Sequence, residues 1–565
     1  MKKIASVRRT QLISTYGVGA LVAAEEASYM VKGLNDWKVA PDPTLHEPRL
    51  EDKLHVDGFY DPPSVGKGHD IPAVRFPMMY SCPECNRLAT HGEFGDSHEN
   101  VCPKCRKGLV PSRFVVACKA GHVDDFPFMF WVHGASAGPG EHKLALKTLG
   151  RSGGLDDLEV SCSCNRRPPR TMRGAFAKGA LRGFQCGGRR PWLSDSEHNC
   201  AQEPRTLQRG ASNVWFPNTD SSISIPPWSE AASDLVNRYW SSLQHVPEFA
   251  LRGTLQGMLA TNGLATDIEE LAALIALRKG GGQATQGEDL RQEEYDAILR
   301  GAEEKSRDDL FVCTASEPPR EFASWIDIVR RVERLREVRA LVGFTRLYPQ
   351  ADEEQPIEAP LFVRDPRWRP AIEVRGEGVF FRVNEQRLLS WEQSDVVKRR
   401  TSKLRSNFSG EMLGRIVDRN GITPRLLLIH TFAHMLLNQW ALDSGYPASS
   451  LRERIYSSER MAGFMIYTAS SDSAGSLGGV VAQAHPDRLR ESLRGTLLRG
   501  QWCSADPLCI EADSQGTNNV NLAACHSCVL LPEVSCEQMN CFLDRALVVG
   551  TPEEPELGFF NGVEE

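Results

Sequence analysis

Cys82-Pro83-Glu84-Cys85 and, after sixteen intervening residues, Cys102-Pro103-Lys104-Cys105 form the stretch on which the reading of this chain turns. Each Cys-x-x-Cys turn presents two thiolates close enough to grip one ion. The intervening residues are long enough for a hairpin that brings the pairs together as a tetrahedral four-thiolate site. This is the spacing of a zinc ribbon, and it sets an expectation for the rest of the molecule. Sixteen cysteines in 565 residues are too dilute for a disulfide scaffold, yet they cluster: nine lie between 82 and 200, six between 503 and 541, and one at 313. Clustering of this kind in a large chain reads as metal sites.

Two further sets follow. Cys162, Cys164, Cys186 and Cys200 are expected to close a second site, with Cys118 and His122 as alternative members or structural residues. Cys509, Cys525, Cys528 and Cys536 are expected to close a third, around the tight pair Cys525-His526-Ser527-Cys528. That arithmetic leaves Cys118, Cys313, Cys503 and Cys541 over and predicts about three structural Zn2+ ions. Closed four-thiolate sites leave no coordination position for a water, which points to structure or recognition rather than zinc hydrolysis.

The net charge, 66 basic against 73 acidic residues or −7, excludes a basic field over the whole protein but not local basic patches. One such patch lies between Cys164 and Cys186, where Arg166, Arg167, Arg170, Arg173, Lys178 and Arg182 occur with no acid among them. A second is Lys398-Arg399-Arg400. Both are candidate contacts to a DNA phosphate backbone, the alternative being solvated surface. Length predicts about three to four domains. The fold class is read as α+β and multidomain, with zinc-ribbon-like modules, a largely helical middle and a C-terminal α/β zinc-binding domain. The expected partition is an N-terminal segment 1–75, zinc-binding modules with the basic loop over 76–217, a mainly helical region 218–350, a linker and strands over 351–390, a C-terminal domain 391–550 and an acidic tail 551–565. Between Trp325 and Val342 the apolar spacing predicts an amphipathic helix whose other faces carry Arg330, Arg331, Arg334, Arg336 and Arg339 beside Glu333 and Glu337.

Catalytic signatures are sparse. The sequence holds no G-x-x-x-x-G-K-[ST] phosphate loop; Gly66-Lys67-Gly68 lacks the upstream glycine and the hydroxyl. His430 and His434 stand at i, i+4 on a predicted helix, with Glu453 or Asp472 as potential partners. They are read either as buried structural histidines or, as the enzymatic alternative, as the centre of a metal-dependent nuclease. The apolar run at Leu426–Leu437 is too short and too polar to cross a bilayer. The stretch after Arg8-Arg9 is too interrupted for an export signal, so a cytoplasmic protein is expected.

The ordered string Leu428-Ile429-His430-Thr431-Phe432-Ala433-His434, Glu453-Arg454-Ile455-Tyr456, Ile466-Tyr467-Thr468, Gly478-Gly479-Val480, Asp506-Pro507-Leu508-Cys509, Asn521 to Cys528 and Leu531 to Glu537 resembles the MZB zinc-binding domain at the C-terminus of a group of bacterial superfamily 2 DNA helicases, over roughly residues 425–550. Arg9-Thr10-Gln11-Leu12, Tyr16 to Ala20, Phe114 to Cys118, Gly121 to Pro127, Gln208 to Pro217 and Leu335 to Arg346 resemble the DrmB family of the DISARM anti-phage system, with Val18 standing where the family is expected to carry proline. The resemblance implies a non-catalytic, helicase-associated subunit, partnered by a DrmA-like superfamily 2 helicase subunit. It also implies DNA binding by the complex, without a membrane or a small-molecule substrate, and a role in restricting phage DNA.

Overall fold

The computed structural model describes residues 4–25, 27–62, 70–95, 100–150, 154–262, 267–280, 290–347, 358–407, 421–468, 478–516 and 519–563. Asp472, Gly66-Lys67-Gly68 and residues 351–357 of the expected linker and strand region 351–390 lie outside them. The chain divides into two units, each assembled from three stretches: 1–41, 59–220 and 340–372 in the first, 42–58, 221–339 and 373–565 in the second. Helices and strands both contribute throughout, and the architecture is α+β with cysteine-rich modules. Among the described residues no helix is long and apolar enough to cross a membrane.

The first unit is built of short antiparallel strands. Arg170–Thr171, Leu158–Cys162, Leu144–Thr148, Arg87–Thr90, Met79–Ser81 and Val110–Pro111 lie side by side in that order. A second, three-stranded sheet sets Phe114–Ala117 between Arg205–Gln208 and Val123–Asp125. Strands of two to five residues bury little apolar surface each, so other ties matter. One is Arg346, which is 1% exposed and donates to the carbonyls of Gly121 (2.9 Å), Val214 (2.6 Å) and Gly19 (2.8 Å). Three separate loops are thereby satisfied by one guanidinium, whose planar fork suits several acceptors at once. Gly19 sits at φ +79° with the Phe344 ring crowding the place where a Cβ would stand, so both the backbone and the close approach require glycine there.

The second unit centres on the Pro424–Ser444 helix. Thr423 caps it by accepting from the Leu426 N–H at 3.1 Å, proline occupies the first turn, and Gly445 at φ +72° ends it. Its residues 425–437 are all buried, which fits a helix apolar on every side. It packs on the antiparallel pair Leu451–Ser458 and Met461–Thr468 and on the Pro486–Gln501 helix. Helices Ala231–Arg238, Glu248–Asn262, Ile268–Lys279 and Leu290–Arg300 supply the helical middle of the chain.

The expected helix at 325–342 is a strand, Ile326–Thr345. Residues 335–341 are all buried, covering both faces of the strand, and such a strand loses the simple two-residue alternation. Its β-branched residues Ile326, Ile328, Val329, Val332, Val338 and Val342 fit a pleated surface better than a helix. Nor are its arginines a common solvated face. Arg336 meets Glu373 at 2.8 Å and Ser224 at 2.9 Å, and Arg339 meets Glu337 at 2.7 Å.

Charge is also deeply buried nearby. Arg454 and Glu294, both fully inaccessible, form a two-pronged pair at 2.7 Å, and Glu294 also accepts from the Ile223 N–H at 3.0 Å. Burial opposes the charge on Glu294, but Arg454 holds its carboxyl below the ordinary value. A depressed folded-state value means that the pair stabilises the fold above the unfolded carboxylate pKa of about 4.3 and that this is lost as pH falls through the folded value. Glu294→Ala removes the closest acidic partner of Arg454 and is expected to cost about 3–5 kcal/mol at pH 7, read by urea unfolding. The difference between variant and wild type should shrink on acidification below about pH 4; a pH-independent difference would refute this role.

Candidate metal centres

Among the described residues, five groups of four side chains bring one donor atom each to within 4.8 Å of one another. All sixteen cysteines are free thiols, so none of these groups is a disulfide. A tetrahedral ion about 2.3 Å from sulfur and 2.0–2.1 Å from imidazole nitrogen leaves sulfurs about 3.8 Å apart, and sulfur and nitrogen about 3.6 Å apart. Those edges are the yardstick for each group.

Cys82, Cys85, Cys102 and Cys105 come together as the spacing predicts, with the Cys85 and Cys102 sulfurs 3.9 Å apart. The two turns are built alike. Asn86 N–H donates to the Cys82 carbonyl at 2.9 Å and Arg106 N–H to the Cys102 carbonyl at 2.8 Å, and both residues adopt left-handed φ (59° and 58°). The backbone itself thus folds each pair around a common point. Burial raises the Cys102 thiol, but the N–H groups of Cys105 and Lys104, with the Cys82 and Cys85 thiols, bring it down to about 7. A small core of Tyr80, Ala89, Phe94 and Leu109 surrounds the four.

The expected set Cys162–Cys164–Cys186–Cys200 does not form; the structure splits it into two. Cys186 and Cys200 join Cys118 and His122. His122 Nδ1 lies 3.5 Å from the Cys118 sulfur and 3.7 Å from that of Cys186, and the Cys118 and Cys200 sulfurs are 3.9 Å apart. His122 Nε2 meets Glu197 at 3.1 Å, the carboxylate partner that orients a ligating imidazole. The Cys118 thiol holds Cys186 down to about 4. Gly121, at φ +79°, closes the Cys118–His122 turn.

Cys162 and Cys164 instead join His133 and His142, which sequence reasoning missed. His142 Nδ1 is 3.4 Å from the Cys162 sulfur, and His133 Nε2 is 3.8 Å from that of Cys164. His142 Nε2–H donates to the Gly138 carbonyl at 3.1 Å, which leaves Nδ1 its lone pair. Burial, then His142, keeps the His133 pKa below its ordinary value and the ring neutral, as a ligand must be. Cys162 ends the Leu158–Cys162 strand, while Cys186, after a long excursion, meets Cys118 directly past the Phe114–Ala117 strand.

In the second unit Cys503, not Cys536, completes the last cysteine set. The Cys503–Cys525, Cys509–Cys528 and Cys525–Cys528 sulfurs are 3.5, 3.8 and 3.7 Å apart. Asp506 fixes the turn by accepting from the Cys503 N–H at 2.7 Å and the Ile510 N–H at 3.1 Å. Cys509 is held down to about 5 by the Cys528 thiol. Cys536 lies instead with His430, His434 and Glu453. Cys313 and Cys541 are buried and belong to none of the five groups.

Cations of the candidate DNA surface divide as well. Arg166, Arg167, Arg170, Arg173, Lys178 and Arg182 are all exposed, whereas Met172, Ala175 and Leu181 between them turn into the core. The loop therefore has apolar feet and a charged outer side, and its two ends, Cys164 and Cys186, sit in two different four-donor groups. Arg166 donates to the carbonyls of Ala137 and Pro139, and Arg173 lies 3.7 Å from Asp156. In the second patch Lys398 is exposed and Arg399 meets Glu554 at 2.7 Å. Arg400 corrects the sequence reading: its guanidinium is drawn inward onto fully buried Asp544 at 2.8 and 3.1 Å, so it serves the fold. Arg170 also has a packing role, lying 3.3 Å above the centre of the buried Trp131 ring and donating to the Trp131 carbonyl at 2.9 Å. Arg170→Ala is expected to lower stability by about 1 kcal/mol in urea unfolding, whereas Arg167→Ala should stay within about 0.5 kcal/mol. Equal effects would contradict the stacking role.

A family described as the MrfA Zn-binding domain matches residues 432–529, a stretch that includes Cys503, Cys509, Cys525 and Cys528. A domain of unknown function, DUF8724, matches residues 8–216, the stretch that holds the three groups of the first unit. The chain is 30% identical over 566 aligned residues to the DISARM protein DrmB of Bacillus paralicheniformis, covering 95% of this chain and 99% of that protein. With similarity running through both units, the chain belongs to the DrmB family.

Proposed function

We propose that this chain is a zinc-stapled, non-catalytic partner subunit of a DrmA-like superfamily 2 DNA helicase in a DISARM-type anti-phage complex. Its contribution is DNA binding and helicase docking. Family membership supports the defence role, and the MZB-type domain supports both zinc and a helicase partner. The observation that carries the DNA reading is the loop 165–185. Arg166, Arg167, Arg173, Lys178 and Arg182, with no acid among them, hang outward between two cysteine–histidine groups that pin both ends. Positive charge held on a pinned, apolar-footed loop can follow a phosphate backbone with little ordering entropy to lose on binding.

Four groups would hold zinc: Cys82/Cys85/Cys102/Cys105, Cys118/His122/Cys186/Cys200, His133/His142/Cys162/Cys164 and Cys503/Cys509/Cys525/Cys528. Their donors are thiolates and imidazoles, and their edges of 3.4 to 3.9 Å match the zinc tetrahedron. Zinc there supplies cross-links between short strands and turns. Four protein donors leave no position for an activated water. The nuclease alternative finds no support in the geometry, since His430, His434 and Glu453 are at most 1% exposed and no phosphodiester reaches them.

Replacing Arg166, Arg167, Arg173, Lys178 and Arg182 together by glutamine should weaken duplex binding. It should also flatten the dependence of log K on log salt by about 0.9 for each phosphate that is no longer neutralised, measured by fluorescence anisotropy from low to moderate salt. The same variant should still co-purify with the helicase subunit. An unchanged salt slope would place DNA binding elsewhere.

A further inference from the structure

We propose that His430, His434, Glu453 and Cys536 form a fifth metal site, one that takes a zinc-class divalent ion as a closed structural clip inside the second unit. It shares no donor with the four cysteine-rich groups and joins three elements that those groups do not join.

The donors arrive from separate directions. His430 and His434 share one face of the Pro424–Ser444 helix, their rings 4.5 Å apart at 85°. Glu453 comes from the Leu451–Ser458 strand, whose next residue, Arg454, engages Glu294. Cys536 follows the short turn Glu533–Ser535. His430 Nε2 lies 3.1 Å from Glu453 Oε1 and 3.3 Å from the Cys536 sulfur, and His434 Nε2 lies 3.3 Å from Glu453 Oε2. Nitrogen and oxygen ligands about 2.0–2.2 Å from a tetrahedral ion are separated by about 3.3–3.4 Å.

The decisive detail is alignment. His434 Nε2 and Glu453 Oε2 are 3.3 Å apart, yet each is buried without a hydrogen-bond partner. Two such atoms side by side would be costly if they merely packed together. Atoms that converge on a shared point instead of on each other are what a coordinated cation requires. A fully buried carboxylate also needs a positive charge, and the guanidinium nearest in sequence is committed to Glu294.

The outer contacts suit a metal. His434 Nδ1–H donates to the Val529 carbonyl at 3.0 Å, which turns the Nε2 lone pair toward Glu453. Glu537 N–H donates to Glu453 Oε1 at 3.0 Å. The N–H groups of Gln538 and Asn540 reach the Cys536 sulfur at 3.3 and 3.2 Å, as a thiolate would want. Met539 and Asn540 both adopt left-handed φ (55° and 57°) to wrap the chain around that sulfur. Two imidazoles, a thiolate and a carboxylate favour zinc over magnesium or calcium, which prefer oxygen. Because Val529 follows Cys528 directly, the Val529 carbonyl also couples this site to the Cys503/Cys509/Cys525/Cys528 group.

The test is metal stoichiometry of the full-length chain by native mass spectrometry and elemental analysis, for wild type, Glu453→Gln, His434→Asn and Cys525→Ser. The expected result is five zinc ions in the wild type and one fewer in each of the Glu453 and His434 variants. If those two variants retain the wild-type count while Cys525→Ser loses one, the fifth site is refuted and the cysteine-rich groups stand. If Cys525→Ser also loses none, the zinc reading of that group fails separately. Should the histidine and glutamate variants not fold, the wild type alone decides, with five zinc ions under the proposal and no more than four without it.

Discussion

Convergence of polar donors on points that lie inside small apolar cores is the constraint on which this molecule depends. Around Cys82, Cys85, Cys102 and Cys105 the buried apolar residues are Tyr80, Ala89, Phe94 and Leu109. That is too little hydrophobic surface to hold a hairpin by itself, and such modules ordinarily need a cross-link. The backbone is preformed for one. Left-handed residues after each Cys-x-x-Cys turn aim the sulfurs inward, and N–H groups lower the thiol of Cys102. Strand pairing, turn conformation and thiol acidity in the first unit all serve the same points of convergence.

A second theme is the use of arginine as an interior connector. Arg346 satisfies three carbonyls, Arg454 holds Glu294, and Arg400 holds Asp544. Each replaces apolar packing with directional bonds between segments far apart in sequence. The guanidinium fork makes this workable, because several acceptors can be met by one group that remains charged when buried. On the 165–185 loop Arg167 and Arg182 face water, whereas Arg170 is claimed by Trp131. Arginine count alone therefore says little about nucleic acid; what separates the two populations is whether an acceptor inside the fold claims the guanidinium.

The sequence disclosed the first four-cysteine group outright, because two Cys-x-x-Cys turns at ribbon spacing have few other arrangements. It disclosed the presence of further groups but not their membership. Cys162, Cys164, Cys186 and Cys200 carry no pairing rule. The histidines that divide them, His122, His133 and His142, are of a residue type with many other roles. A signal for His122 does exist in Cys118-x-x-x-His122, a spacing that admits either a ligand pair or two structural residues. Cys503 and Cys536 stand on opposite sides of the Cys525–Cys528 pair, and spacing could not choose between them. The helix expected at 325–342 failed for a related reason. Apolar residues at every third position describe one helix face, but also a strand covered on both sides, and the β-branched content that favours the strand is a weak preference.

Sequence by itself determined the α+β, metal-module character of the chain, the ribbon at residues 82–105, the acid-free basic loop and the family resemblance. These are local or compositional properties, carried by residue types at short spacing. Tertiary structure alone decided which donors share a point, that Cys536 leaves the last cysteine set for His430, His434 and Glu453, and that Arg400 turns inward while Arg167 stays in water. Such choices depend on which distant strands and helices become neighbours. Four donors within 4.8 Å are a statement about three-dimensional distance, and separations along the chain as long as that from His430 to Cys536 do not encode it.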